Sequence, residues 1–162
     1  MFSSKKGGFT LIELLVVIAI IGLLASVVLV SVGPARVKAR DSKRISDIRQ
    51  INLAMEMCTD DPSCGAGNNS YPVYPVLPQA NAWTRIDNDG APVFLVMPSD
   101  PTNSGDYRYF WYVSAASYYC IAAKIESITS ATFYCASNRG TAQATMASTS
   151  ISKDNCCGMD LD

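Results

Sequence analysis

One carboxylate stands at the start of a long apolar segment, which is an unusual place for a charge. Glu13 is followed by 22 residues without a charge, from Leu14 to Ala35. A carboxylate inside a bilayer is costly unless it is paired, whereas one at the headgroup boundary stays solvated. Glu13 is therefore either a solvated boundary residue or a group that needs a cationic partner, since the nearest cations, Lys5 and Lys6, lie upstream in a short polar stretch.

The cysteines form the second chemically reactive set, and all of them lie at or after position 58. They are Cys58, Cys64, Cys120, Cys135, Cys156 and Cys157. Cys58 and Cys64 could close a small loop. Cys120 and Cys135 lie in neighbouring predicted strands and could be bonded across them. Cys156 and Cys157 would then have to form a vicinal disulfide, which is strained. A pairing in which one of the adjacent cysteines reaches Cys120 or Cys135 is nearly as well supported. A zinc cluster is a weaker alternative because the sequence has no CxxC pair, so we expect disulfides and an oxidising compartment.

The sequence offers no catalytic constellation. It contains no histidine, which excludes His-based nucleophile activation and His-ligated metal sites. The paired carboxylates Asp60-Asp61 and Asp87/Asp89 lie in stretches rich in Gly, Pro and Asn, where such residues favour turns. We therefore expect neither an enzyme nor a resident cofactor.

Oxygen-bearing side chains near the C-terminus raise one weaker metal hypothesis. They are Asp154, Asn155, Asp160 and Asp162. Calcium prefers oxygen ligands, so this group could hold it. An acidic exposed tail explains the same residues more simply, and the prediction remains that no metal is bound.

Charge is distributed unevenly along the 162 residues, whose formal net charge is −1. Residues 1–56 carry eight basic and four acidic side chains, whereas residues 57–162 carry five basic and ten acidic ones. An acidic C-terminal part with scattered cations does not favour binding to nucleic acid.

The uncharged segment has the length of a membrane-spanning helix. Its 22 residues would run about 33 Å at about 1.5 Å per residue, against about 30 Å of hydrocarbon. A buried core helix and a cleaved signal peptide are the alternatives, but the segment exceeds the usual apolar core of a signal peptide. We assign residues 9–35 to the membrane.

A second helical half follows, over Ala35 to Met57. Its apolar residues recur at helical spacing: Val37, Ile45, Ile48, Ile51 and Met55. The charged residues between them predict a solvated face, with Asp41 and Arg44 paired at i,i+3, and contact with anionic lipid headgroups is the alternative. Gly33-Pro34 predicts a kink or a local unwinding.

The remaining residues, 58–162, predict a small β-sheet head. Alternating or continuous apolar runs indicate strands at Tyr107–Val113, Tyr118–Glu126 and Ala131–Ser137, with one short strand within Pro92–Pro98. Residues 141–152 are rich in Ala, Ser and Thr and indicate an exposed loop or a weak strand. The fold class is α+β, with one long helix packed on a small antiparallel sheet.

The N-terminal run Lys5-Lys6-Gly7-Gly8-Phe9-Thr10-Leu11-Ile12-Glu13-Leu14 resembles the processing site of type IV pilins and type II secretion pseudopilins. The motif covers residues 1–35, and beyond them the resemblance is one of architecture. It implies that a prepilin peptidase removes residues 1–8 by cutting between Gly8 and Phe9, and that Phe9 becomes an N-methylated terminus. It also implies that Glu13 pairs with the terminal amine of a neighbouring subunit, which would supply the missing cation.

The same resemblance implies a structural subunit of a type IV pilus-like surface filament. The implied partners are copies of the chain in a helical filament, the prepilin peptidase and methyltransferase, an inner-membrane assembly platform and minor pilins. A major pseudopilin of type II secretion and a minor or tip pilin that binds a surface or DNA are the alternatives. Major pseudopilins carry Trp-Gly after an Asp-Pro pair, where this chain has Thr102 and Asn103.

The sequence carries three signals about membrane topology, and one of them disagrees with the other two. The positive-inside tendency would place the basic stretch after residue 35 in the cytoplasm. The cysteines and the implied processing site both place the leader inside and the head outside. We follow the two agreeing signals and expect one pass through the cytoplasmic (inner) membrane, with residues 36–57 packed on an external head before assembly into an extracellular filament.

Overall fold

The computed structural model describes residues 8–60, 71, 85–86, 95–114, 118–148, 151 and 155–159. A single helix, α1 (Leu11–Thr59), contains both predicted helical halves. It runs without interruption through Gly33 and Pro34, so the predicted local unwinding is not found. A proline removes one ladder hydrogen bond, and the hydrogen bonds of the flanking turns keep such a segment helical. Contacts divide the chain into two units, Met1–Val37 and Lys38–Asp162, with the boundary inside α1.

The first unit presents its apolar side chains to the surroundings. Every large apolar residue of α1 from Leu11 to Val30 is at least 49% exposed, and Phe9 is 89% exposed. By length and composition this part of α1 can cross a membrane, and none of its apolar window is buried. An apolar surface of this extent needs lipid or other protein to cover it.

The second unit contains two antiparallel sheets among the residues that the structure describes. Their strands are β1 (Arg85–Ile86), β2 (Leu95–Val96), β3 (Tyr109–Ser114), β4 (Tyr118–Lys124), β5 (Thr132–Ser137) and β6 (Gly140–Thr145). β1 pairs with β2, and the other four strands form a meander in the order β3-β4-β5-β6. This arrangement confirms the predicted α+β class, with a long apolar helix followed by a small antiparallel sheet.

One strand begins later than the sequence predicts, and the weaker strand that the sequence allowed is present. β3 begins at Tyr109 instead of Tyr107, because Tyr107 forms an isolated bridge with Ser104. The stretch expected to be a loop or weak strand contains β6, which pairs along its whole length with β5. The two-residue connection between Ser137 and Gly140 explains this strand, since a tight hairpin brings the following residues beside β5, and Gly140 adopts φ +125°.

One face of the four-stranded sheet packs against the second half of α1. Ile48, Ile51 and Met55 of the helix are fully buried in one cluster with Tyr119 and Ile121 of β4. These helix positions are the predicted apolar stripe, and the β4 residues are alternate residues that point to one side of the sheet. This cluster is the main core of the head.

The opposite face of the sheet has its own smaller core. Cys120 of β4 and Phe133 and Cys135 of β5 are buried there together with Cys156 and Cys157 from the C-terminal segment. The five buried strand residues of β4, together with an entirely buried β5, reflect this double coverage.

Candidate functional site

The start of α1 is built around a reciprocal pair of side chains. Thr10 precedes the helix, and both its backbone N–H and its hydroxyl donate to Glu13 Oε2, at 2.8 and 2.7 Å. The backbone N–H of Glu13 donates back to Thr10 Oγ1 at 3.4 Å. This is a capping box, in which the first residue before a helix and the third residue within it satisfy each other's backbone donors.

The capping box gives Glu13 a local partner that our sequence interpretation missed. The T-x-x-E spacing of Thr10 and Glu13 is itself the signal that could have revealed it. The box satisfies donors but supplies no positive charge, and among the residues that the structure describes no cation pairs with this carboxylate. Gly8 and Phe9, the predicted processing residues, lie immediately upstream and are both exposed.

In the head, a buried arginine joins α1 to two distant segments. Arg44 is fully buried; its Nε and Nη2 donate to the two carboxylate oxygens of Asp100, at 2.7 and 3.1 Å. Its Nη1 donates to Asp41 at 2.8 Å and to Glu126 at 3.1 Å, and its Nη2 also donates to Thr102 at 2.9 Å. The predicted Asp41–Arg44 pair is present, but the expectation of a solvated charged face is wrong here, because the fold brings carboxylates from distant segments against the helix.

The carboxylates of this cluster are held by further donors. Asp41 accepts the backbone N–H groups of Glu126 and Ser127, both at 2.8 Å. Burial alone would raise the pKa of Asp41, but these hydrogen bonds and the one from Arg44 outweigh it and lower the pKa. Glu126 also binds Arg40 Nε and Nη2 at 2.8 and 2.5 Å, and the hydrogen bonding to Arg40 lowers the pKa of Glu126.

Asp47 extends the polar cluster toward the apolar core. It is buried, pairs with Lys43 and accepts the hydroxyl of Tyr109 at 2.7 Å. Burial and this hydrogen bond raise the pKa of Tyr109, so the phenol stays protonated as a donor. The helix face that the sequence assigned to solvent therefore contains three buried charged residues, Asp41, Arg44 and Asp47.

A second polar group lies near the C-terminal end of α1. The Tyr119 hydroxyl donates to Glu56 at 2.6 Å and is 2.8 Å from Asn52 Oδ1. Tyr71 also donates to Glu56, at 3.3 Å, and its ring meets the Tyr119 ring edge-on at 4.6 Å. Burial, followed by the charge of Glu56, raises the pKa of Tyr71 to about 12.

The disulfides follow the alternative prediction, in which the adjacent cysteines reach the strand cysteines, and here both of them do so. Cys120 is bonded to Cys156, and Cys135 is bonded to Cys157. Cys120 and Cys135 are not partners because Cys120 lies opposite Ser137, so the two cysteines are diagonal neighbours in the sheet. Diagonal neighbours are about 7–8 Å apart, which exceeds the usual Cα separation of a disulfide.

The other predicted sites are only partly within the described residues. Cys58 is disulfide-bonded, and its predicted partner Cys64 lies outside these residues. Among the calcium candidates, Asn155 accepts the backbone N–H of Gly158 at 3.0 Å, and the three aspartates lie outside the described residues. Three cysteine sulfurs, those of Cys120, Cys135 and Cys156, lie within 4.8 Å of one another, but they are bonded as disulfides.

The chain matches one family at its N-terminal end and a known protein over most of its length. Residues 3–29, which include the capping box, match the family described as the prokaryotic N-terminal methylation motif. The type II secretion system core protein G of Escherichia coli K12 is 39% identical over 124 residues, which are 70% of this chain and 83% of that protein. The chain belongs to the type IV pilin and type II secretion pseudopilin family.

Other relatives include both secretion proteins and fimbrial proteins. The core protein G of Vibrio cholerae is 31% identical over 65% of this chain and 70% of that protein. A probable minor fimbrial protein of Dichelobacter nodosus is 38% identical over 66 residues, and the match spans only 42% of that protein's length. No solved structure matches the chain. Members of this family are structural subunits, so the family agrees with the absence of a catalytic constellation in the sequence.

Proposed function

We propose that the protein is a structural subunit of a pilin-type filament and is made as a membrane-anchored precursor. The observation that carries the proposal is the position of Glu13, a carboxylate within a matched methylation motif and at the start of an exposed apolar helix. Before assembly the helix is covered by lipid, and after assembly it is covered by the helices of other subunits. The head then forms the outer part of the filament.

In this proposal, processing creates a cation that can pair with Glu13. A prepilin peptidase cuts between Gly8 and Phe9, and the new amine of Phe9 is methylated. Both residues are exposed, as cleavage between them requires. A neighbouring subunit's amine then replaces the Thr10 donors as the main partner of Glu13.

Two variants separate these roles. Glu13→Gln keeps a hydrogen-bond acceptor for the capping box but removes the charge, whereas Thr10→Val removes the hydroxyl and keeps the charge. We expect Glu13→Gln to be cleaved normally and to form few or no fibres, because the neighbour's amine gains no ion pair. Thr10→Val should still assemble, since the amine replaces the lost donor. Fibres from Glu13→Gln at the native level, counted by electron microscopy, would refute the pairing.

The processing step has its own measurement. N-terminal sequencing and intact mass of the native protein should give a chain that begins with methylated Phe9. A chain that retains Met1 would remove the filament proposal, whatever the assembly phenotype of the variants.

We place the head outside the cytoplasmic membrane. Disulfides at Cys120–Cys156 and Cys135–Cys157 support this placement, because such bonds persist in oxidising compartments. The partners in this proposal are copies of the chain, the prepilin peptidase, the inner-membrane assembly platform and minor pilins. Neither a metal nor a nucleic acid is required.

A second candidate within the same class is a periplasmic pseudopilus subunit of type II secretion. The match to the E. coli core protein G favours it, because that match covers 70% of this chain, which is more than the N-terminal motif alone, and 83% of the relative. Deletion of the gene separates the two candidates. Loss of long surface fibres indicates a pilus subunit, and loss of protein secretion without loss of surface fibres indicates a pseudopilus subunit.

A further inference from the structure

The C-terminal segment presents two consecutive cysteines to the same surface. Cys156 and Cys157 are 0% and 5% exposed, and both contact the outer face of the four-stranded sheet. In an extended chain, successive side chains point to opposite sides. Here the segment turns instead: Cys157 and Gly158 have φ of +52° and +77°, and Met159 N–H donates to Cys156 O at 3.0 Å. This type I′ turn is what directs both sulfurs into the sheet.

The sheet presents two cysteines to this turn, and they are also close neighbours. Cys120 and Cys135 lie on one face of adjacent strands, in diagonal register. The sulfur of Cys135 lies within 4.8 Å of both sulfurs of the Cys120–Cys156 bond. Each of these three sulfurs therefore has a second possible partner nearby.

Loop length does not favour either of the two pairings between the strand cysteines and the adjacent cysteines. The native pairing is Cys120–Cys156 with Cys135–Cys157, and the exchanged pairing is Cys120–Cys157 with Cys135–Cys156. The native bonds close sequence separations of 36 and 22 residues, and exchanging the partners changes each separation by one residue. Loop-closure entropy depends only weakly on length, so it favours neither arrangement. Before the turn has formed, either adjacent cysteine can reach either strand. Packing of the turn is what distinguishes the native arrangement.

We propose that Cys120, Cys135, Cys156 and Cys157 form a thiol–disulfide exchange cluster, in which the native pairing is reached by internal exchange. Suppose that Cys135–Cys156 forms first. The Cys120 thiolate attacks the sulfur of Cys156, the Cys120–Cys156 bond forms, and the Cys135–Cys156 bond breaks to release a Cys135 thiolate. This exchange consumes no oxidant. Cys135 and Cys157 are then oxidised by a small-molecule disulfide, which takes up two electrons and two protons and leaves as two thiols.

The Cys157→Ser variant isolates this step, because it leaves three cysteines in the cluster and one exchange to observe. The full-length variant, reduced in denaturant, is refolded in detergent micelles with reduced and oxidised glutathione and quenched with acid at intervals. Trypsin cuts after Arg108, Lys124, Arg139 and Lys153, so Cys120, Cys135 and Cys156 fall in different peptides. Mass spectrometry then distinguishes Cys120–Cys156 from Cys135–Cys156.

We expect both bonds at early times, followed by conversion to Cys120–Cys156 at a rate that does not depend on glutathione concentration. Cys156→Ser is the mirror experiment, in which Cys120–Cys157 should convert to Cys135–Cys157. The control is Cys135→Ser/Cys157→Ser, which can form Cys120–Cys156 but has no third thiol in the cluster. A Cys135–Cys156 bond that never appears, or a conversion rate proportional to glutathione, would overturn the proposal in either variant.

Discussion

Substitution of Arg44 by methionine tests whether the buried carboxylates of the head depend on this one cation. The change removes a fully buried guanidinium and leaves the buried Asp100 and Asp41 without their cation. Breaking a buried ion pair from one side costs about 3–5 kcal/mol. Asp100 keeps the N–H groups of Thr102 and Asn103 at 2.7 and 3.2 Å, and Asp41 keeps two backbone donors. We therefore expect a loss near the lower limit, about 3 kcal/mol.

The assay is urea unfolding of the full chain in detergent micelles, followed by tryptophan fluorescence, since Trp111 packs against the main core. Lys38→Met is the matched control, because Lys38 is exposed on the same helix and forms no ion pair with any residue that the structure describes. It should change the free energy of unfolding by less than about 0.5 kcal/mol. Arg44→Met/Asp100→Asn should recover part of the loss, because it removes a stranded charge. An Arg44→Met variant within about 1 kcal/mol of the native protein would refute this reasoning.

Three further predictions concern the head. Because the pKa values of Asp41 and Glu126 are lowered in the folded state, their stabilisation is present at neutral pH and is lost as pH falls below about 4.5; urea midpoints at pH 7 and pH 3 measure it. Tyr119→Phe should destabilise the head by about 1–2 kcal/mol, because the partly buried Glu56 carboxylate loses the hydroxyl that donates to it at 2.6 Å, and an unchanged urea midpoint would contradict this. Gly158→Ala should cost about 1 kcal/mol at φ +77°, whereas Gly158→Asn should cost less, and thermal unfolding of both variants compares them.

The sequence predicted those features that depend on short-range pattern. The uncharged segment, the apolar stripe at Ile48, Ile51 and Met55, and the strands β4 and β5 all follow from the type and spacing of nearby residues. The methylation motif was recognised in the same way, because its residues are contiguous. The capping box of Thr10 and Glu13 was equally local and could have been found.

The features that the sequence did not predict depend on segments that meet only in the folded chain. The polar neighbours of Arg44 in sequence predict that it is exposed to solvent, but its main partners lie 56 and 82 residues away. The sequence does not determine the disulfide pairing for a similar reason. It depends on the β4–β5 register and on the turn at Cys157, and neither can be derived from cysteine spacing.

The buried cluster and the apolar stripe of α1 restrict the packing of the helix in different ways. Apolar contact is not directional, so Ile48 and its neighbours would tolerate small rotations or shifts of α1 on the sheet. Arg44 tolerates much less, because two of its nitrogens must meet both oxygens of Asp100. At the same time, Asp41 must meet two consecutive backbone N–H groups from the segment after β4. We infer that the apolar stripe supplies most of the attraction between helix and sheet, and that the charged groups select one rotation and one axial position. Desolvation of these charges offsets much of their attraction, so their main effect is on the geometry of the head and less on its stability.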